Sequence, residues 1–64
     1  MTHNGIRAAR MRRGLTQRQL ALAAGIGKST LSMIEAGQRV PRVDTALFIA
    51  RALGMTVEDL FWLD

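Results

Sequence analysis

Residues 16–41 read TQRQLALAAGIGKSTLSMIEAGQRVP, and the meaning given to the central GIGKST, residues 25–30, decides the fold. A Gly-Lys-Ser/Thr core also ends the phosphate-cradling loop G-x-x-x-x-G-K-[ST]. Counting back from Gly27, such a loop needs a glycine at position 22, and Leu22 stands there. It also needs a buried strand ahead of it, yet TQRQLALAA carries no β-branched residue except Thr16 and reads as helix. The nucleotide reading is therefore set aside, and the glycines read as punctuation between helices. Thr16 and Gln19 form a T-x-x-Q capping box at a helix start. Leu20, Ala21 and Ala24 then make a buried stripe, Gly25 ends the helix with a positive φ, and Ile26 tucks under the turn.

Working outward, a third helix is predicted from after Gly27 to Gly37. Thr30, Leu31 and Ile34 cluster on one side of it, and Lys28, Ser29, Ser32, Met33 and Ala36 on the other. An ordinary solvated face mixes Glu with Lys for pairing, whereas this one has short side chains, one cation and no acid. Short side chains permit close approach to something. Upstream, a first helix is predicted from near Asn4 to Arg13, with Ile6, Ala9 and Arg10 along one side and Gly14 at its stop. Downstream, GQRVPR around Pro41 is the clearest loop. Val43, Ala46, Leu47, Ala50 and Leu53 keep helical spacing until Gly54, which leaves Phe48 exposed. Thr56 opens a fifth helix with Asp59 at the capping-box position and Leu60 and Phe61 inward. The fold class is all-α, a compact five-helix domain spanning residues 1–64.

Composition bounds the function. Sixty-four residues allow one small core and no second domain, and the absence of cysteine excludes disulfides and thiolate metal sites. The net charge of +4 is unevenly placed. Arg7, Arg10, Arg12, Arg13, Arg18 and Lys28 meet no acid in residues 1–33, while Glu35, Asp44, Glu58, Asp59 and Asp64 outnumber Arg39, Arg42 and Arg51 in the rest. A polyanion is the natural partner of a surface polarised in this way. No apolar run approaches the roughly 18 residues of a membrane span and no signal sequence opens the chain, so the expectation is a cytoplasmic protein without a membrane partner. His3, the only histidine, lies in what reads as a loose N-terminal tail. With no nucleophile–base pair and no metal cluster, the chain reads as no enzyme, with no cofactor, metal or small-molecule ligand.

TQRQLALAAGIGKSTLSMIEAGQRVP, followed by ALFIARALGMTVEDLF, resembles the helix-turn-helix domain of phage repressor and Cro type, the XRE family, over Ile6 to Phe61. The resemblance implies that helices two and three form the helix-turn-helix and that helix three enters the DNA major groove. It implies base contacts by Lys28, Ser29, Ser32 and Met33, and a phosphate contact by Gln17. Arg10, Arg18, Thr30, Arg39 and Arg42 are the further phosphate candidates, since phosphate contacts position a duplex without reading it. It also pairs Arg10 with Glu35, the one acid within the motif, whose carboxylate would otherwise repel phosphate. Three departures stand out: Met33 at a position often polar or basic, Arg42 where Ser or Thr usually caps helix four, and Ala9 in place of a leucine.

The functional expectation is a sequence-specific double-stranded DNA-binding transcriptional regulator, a repressor, acting as a homodimer on a palindromic operator. Phe48, Trp62 and Leu63 are large apolar residues without a place in so small a core, and they are the expected dimer interface. Two alternatives belong to other classes. One is an antitoxin-type protein-binding module that also binds DNA; the other is the DNA-reading part of a longer sensor regulator, since many relatives continue past helix five.

Overall fold

A computed structural model of the chain describes residues 2–63. In chain order the elements are β1 (Thr2–Asn4), α1 (Ile6–Arg12), α2 (Gln17–Ala24), α3 (Lys28–Glu35), α4 (Val43–Leu53), α5 (Val57–Leu60) and β2 (Phe61–Leu63). Five helices stand as expected, and two short strands close the chain on itself. β1 pairs with β2 antiparallel, Thr2 opposite Leu63, His3 opposite Trp62 and Asn4 opposite Phe61. The expected loose tail around His3 is thus ordered backbone, held by a partner almost the whole chain away.

Local chemistry sets most of the boundaries. The Thr16 hydroxyl accepts the Gln19 N–H at 3.0 Å and the Gln19 side chain accepts the Thr16 N–H at 2.8 Å, which closes the capping box of α2. Gly25 takes the left-handed conformation at φ 72°, and the Ile26 N–H returns to the Ala21 carbonyl at 2.9 Å, so Ile26 packs against the core. At the other end of the chain Thr56 accepts the Asp59 N–H at 3.1 Å, half of a capping box. The helix it opens is only one turn long, because Phe61 is already extended. α1 begins at Ile6 rather than near Asn4, and Asn4 has a different task. Its Oδ1 accepts the Ile6 N–H at 3.2 Å while its Nδ2 donates to the Ile34 carbonyl at 2.8 Å, which ties the start of α1 to the last turn of α3.

The core is built from Ile6 and Ala9 of α1, Leu20, Ala21 and Ala24 of α2, Leu31 and Ile34 of α3, Ile49, Ala50 and Leu53 of α4, and Leu60 of α5. Ile6, Leu20, Leu31, Ile34, Ile49, Leu53 and Leu60 are fully enclosed, each contributing about 1.5–3 kcal/mol relative to exposure. Alanines between them let α2 lie close on α3 and α4. The expected stripe of α4 is corrected in part: Ala46, Ala50 and Leu53 are buried, but Val43 is 78% and Leu47 48% exposed, and Ile49 takes the inward place. The helix VDTALFIARAL is apolar around most of its circumference, so spacing admits two stripes. Packing against α2 selects the one through Ile49. Phe48 is exposed on either stripe.

Candidate nucleic-acid interface

The two helices of the motif meet through the turn at Gly25–Gly27, and this turn decides which face of α3 is left outside. Leu31 and Ile34 are buried, Lys28 and Ser29 are exposed, and Ser32 and Met33 are half-buried on the outer side. The first turn of α3 carries no acid, and Gly27 caps it without a side-chain bond. Its free N–H groups and the positive end of the helix dipole therefore face outward, a suitable environment for an anion.

Clefts flank this face on both sides. On one side, two adjoining clefts share Arg10, Met11 and Gln17; Arg7, Ser32, Ala36 and the acid Glu35 line the first, and Thr16, Arg18 and Lys28 the second, which carries no acid. On the opposite flank, Thr30 lines a cleft with Arg39, Pro41, Arg42 and Thr45. The outermost positions of α3, Ser29 and Met33, lie between the two cationic borders. The arrangement suits a polyanion that runs across α3 and is gripped at both edges. Arg7 and Met11 were not among the expected contacts. Their signal is present in the sequence as an i, i+4 pair on the exposed side of α1, Arg7 one turn before Arg10 and Met11 next to it.

Arg10 and Glu35 meet in a bidentate pair. Arg10 Nε donates to Oε2 at 2.9 Å and Nη2 to Oε1 at 3.3 Å, with the side chains 13% and 5% exposed. Nη1 donates to the Leu15 carbonyl at 2.8 Å, so α1 is bound both to α3 and to the turn before α2. Gln17 Nε2 donates to the same Glu35 Oε1 at 3.2 Å, a partner that the sequence did not suggest. Thus Arg10 lines the clefts but directs all three of its nitrogens at the protein. Arg42 differs: its Nη2 donates to Asp44 Oδ2 at 3.0 Å with the side chains 83% and 54% exposed. That guanidinium, and the Thr45 N–H on Oδ1 at 2.8 Å, hold the Asp44 carboxyl below its ordinary pKa.

The expected dimer residues are dispersed. Trp62 is half-exposed in β2, with its indole ring over Gly5, where an added Cβ would stand 3.6 Å from the ring. Phe48 is half-exposed on α4, and the side chain of Leu63 lies outside the described residues. Among the described residues no group of His, Cys, Asp or Glu is placed to hold a metal ion, and no helix is long and apolar enough to cross a membrane.

Residues 6–60 match the family model described as Helix-turn-helix. The uncharacterized HTH-type transcriptional regulator YgzD of Bacillus subtilis (strain 168) is 38% identical over 61 residues, 95% of this chain and 92% of its own. An uncharacterized HTH-type transcriptional regulator of Methanothermobacter thermautotrophicus is 43% identical over 60 residues, 92% of this chain and 87% of its own. Among solved structures, the restriction-modification controller protein C.AhdI from Aeromonas hydrophila superposes with a TM-score of 0.81 at 31% identity, over 84% of this chain and 82% of that one. The clp gene regulator ClgR from Corynebacterium glutamicum gives the same TM-score and identity over 86% of this chain and 58% of its own. The chain belongs to the XRE-type helix-turn-helix family of DNA-binding transcriptional regulators, a family of regulators and not of enzymes.

Proposed function

We propose that this regulator reads double-stranded DNA in a sequence-specific way by placing α3 in the major groove, and that it acts as a repressor. The observation that carries the reading is the acid-free outer face of α3 between two cationic clefts. Lys28 suits the O6 and N7 acceptors of a guanine, Ser29 and Ser32 suit either a donor or an acceptor, and Met33 suits a thymine methyl. Gln17, Arg18, Thr30, Arg39 and Arg42, joined by Arg7, hold the phosphates on either side and fix the register. Arg10 contributes mainly by holding Glu35, which in turn accepts from Gln17. Occupancy of an operator is enough to exclude other proteins from it, which is repression in its simplest form. DNA as the partner puts the working protein in the cytoplasm.

One recognition helix reads few base pairs, so we read the working form as a homodimer. Two third helices would then enter successive major grooves about 34 Å apart on a palindromic operator. The test begins with selection of bound sites from random duplex DNA. A palindromic consensus is expected, on which Lys28→Ala and Ser29→Ala each relax specificity, with a Lys–guanine contact worth about 1–3 kcal/mol. Arg18→Ala and Arg39→Ala should instead weaken every sequence alike and each reduce the salt slope by about 1. Unaltered preference after both α3 substitutions would remove α3 from the reading head.

A further inference from the structure

We propose that Asn4 is a positioning residue for sequence reading: its side chain, anchored by the pairing of the two chain ends, sets the angle at which α3 meets the duplex. This role rests on the DNA reading above.

The two ends of α3 are held in different ways. Its start is fixed by the chain itself, through the turn at Gly25–Gly27. Its far end runs out through Gly37 towards the loop around Pro41, and the helix packs chiefly against α2. Two polar ties reach the last turn from the side of α1. One is the Arg10–Glu35 pair. The other is the Asn4 Nδ2, which donates to the Ile34 carbonyl at 2.8 Å across 30 residues of chain. The same carbonyl accepts the Gly37 N–H at 3.0 Å, so Asn4 grips the point where α3 ends.

Asparagine suits the place. The Ile6 N–H can only donate to the Asn4 Oδ1 and the Ile34 carbonyl can only accept from Nδ2, so the amide has one orientation and both of its ends are used. The backbone beneath it is fixed as well. Asn4 pairs with Phe61 across the β1–β2 ribbon, the Gly5 N–H donates to the Leu60 carbonyl at 2.8 Å, and the Trp62 ring lies over Gly5. Neither strand lines the clefts beside α3. The ribbon acts on the DNA face indirectly, as the base from which Asn4 reaches α3.

Geometry sets the scale of the effect. α3 has eight residues. A helix of that length is about 12 Å long, so a tilt of roughly 10° about its start moves its far end by about 2 Å. A binding constellation tolerates displacements of only about 0.5 Å. Ser32 and Met33, on the second turn, therefore lose their base edges when the tie is cut, while Lys28 and Ser29, beside the pivot, keep theirs. Arg18 belongs to α2 and does not move with α3, so the grip on phosphate persists.

Asn4→Ser separates this role from the capping of α1, because its hydroxyl still accepts the Ile6 N–H but is too short to reach the Ile34 carbonyl. Asn4→Ala removes both bonds. Each protein should be taken through selection from random duplex DNA at a temperature where circular dichroism shows it fully folded, with base positions assigned by Lys28→Ala and Ser32→Ala. Asn4→Ser is expected to keep the preference at the positions that Lys28 governs and to flatten it at those of Ser32 and Met33. Affinity for the selected site should fall about tenfold, the effect of one lost base-pair contact, with the salt slope and the affinity for unrelated duplex unchanged. Asn4→Ala should give the same profile with a lower melting temperature; if it does not fold, Asn4→Ser alone decides. An Asn4→Ser protein that discriminates as the parent does, or that loses affinity for all duplexes alike, would overturn the positioning role and leave the DNA reading intact. A parent protein that prefers no sequence would overturn both.

Discussion

The starts of α2 and α4 both border the surface assigned to DNA, and they are built in opposite ways. At α2 the Thr16 hydroxyl and the Gln19 amide satisfy each other's backbone N–H groups, and the Leu15 carbonyl just before them is held by Arg10. Arg10 in turn is locked onto a carboxylate that is 95% enclosed by its surroundings, as the 5% exposure of the Glu35 side chain shows. At α4 the N-cap is Arg42, which offers no oxygen, and no side-chain bond caps the helix there. Its guanidinium leans on Asp44 in a pair open to solvent. Thr16, Gln19 and Arg10 at the first start are committed to the fold, while Arg42 at the second is open to solvent and available to a ligand. The same ion-pair chemistry thus serves as a bolt in one place and as a holster in the other.

The largest effect should come from breaking the bolt. Glu35→Ala strands a largely buried guanidinium and removes the acceptor of Gln17, so unfolding by urea should show a loss of about 3–5 kcal/mol. Arg10→Ala should be nearly as costly, and the double variant should lose much less than the sum of the two. A loss below about 1 kcal/mol from Glu35→Ala would make the pair an ordinary surface contact and erase the distinction drawn between the two regions. Next in size is Thr16→Ala, which opens the capping box and should cost about 1 kcal/mol in the same measurement. DNA affinity at saturating stability should change little, because the Thr16 hydroxyl is committed to the Gln19 N–H.

These two regions also show what the sequence makes legible. The start of α2 was readable because a capping box is local: Thr16 and Gln19 are three residues apart and need nothing else. The glycine at 25 was readable for the same reason, since the positive φ belongs to the turn itself. The pairing of Arg10 with Glu35 spans 25 residues and is legible only through family resemblance, which points the third member, Gln17, to phosphate alone. Contacts of this kind depend on how α1, α2 and α3 are set against each other, which no local pattern encodes. Spacing points to Val43 and Leu47 for the buried stripe of α4, but Ile49 competes with them on a helix whose apolar residues cover most of its circumference, and α2 decides between the two. The ribbon of β1 and β2 was invisible: three residues at either end of the chain carry too short a pattern to announce a strand.

A smaller effect, of opposite sign for stability and binding, should sharpen the contrast. Arg42→Ser supplies the oxygen that α4 lacks at its N-cap, and it should raise stability by roughly 0.5–1 kcal/mol. It also removes a cation from the cleft of Arg39 and Thr30, so affinity should fall for all DNA sequences and the salt slope should shrink by about 1. Parallel loss of both would mean that Arg42 holds the helix start together in a way its exposure does not suggest.

The smallest effect concerns Asp44. The hydrogen bond from Arg42 and, after it, the Thr45 N–H hold its carboxyl below the ordinary value of 3.8. The folded-state pKa is therefore depressed relative to the unfolded chain, and the stabilisation is present above the ordinary value and lost as pH falls through the lower, folded one. Asp44→Asn removes that contribution, so the stability difference between the two proteins should be constant from neutral pH down to the ordinary carboxylate range and close below it. The carboxylate is open to solvent, so water screens most of the interaction and the difference should lie near the limit of detection. DNA binding at neutral pH is the more telling readout. Asp44→Asn takes a negative charge from the border proposed to hold phosphate and releases the Arg42 guanidinium, so affinity should rise modestly for all sequences, most clearly at low salt. If affinity fell instead, the carboxylate would be orienting Arg42 for the phosphate and not restraining it, and the start of α4 would be a preorganised device like the start of α2, only one turned toward the duplex.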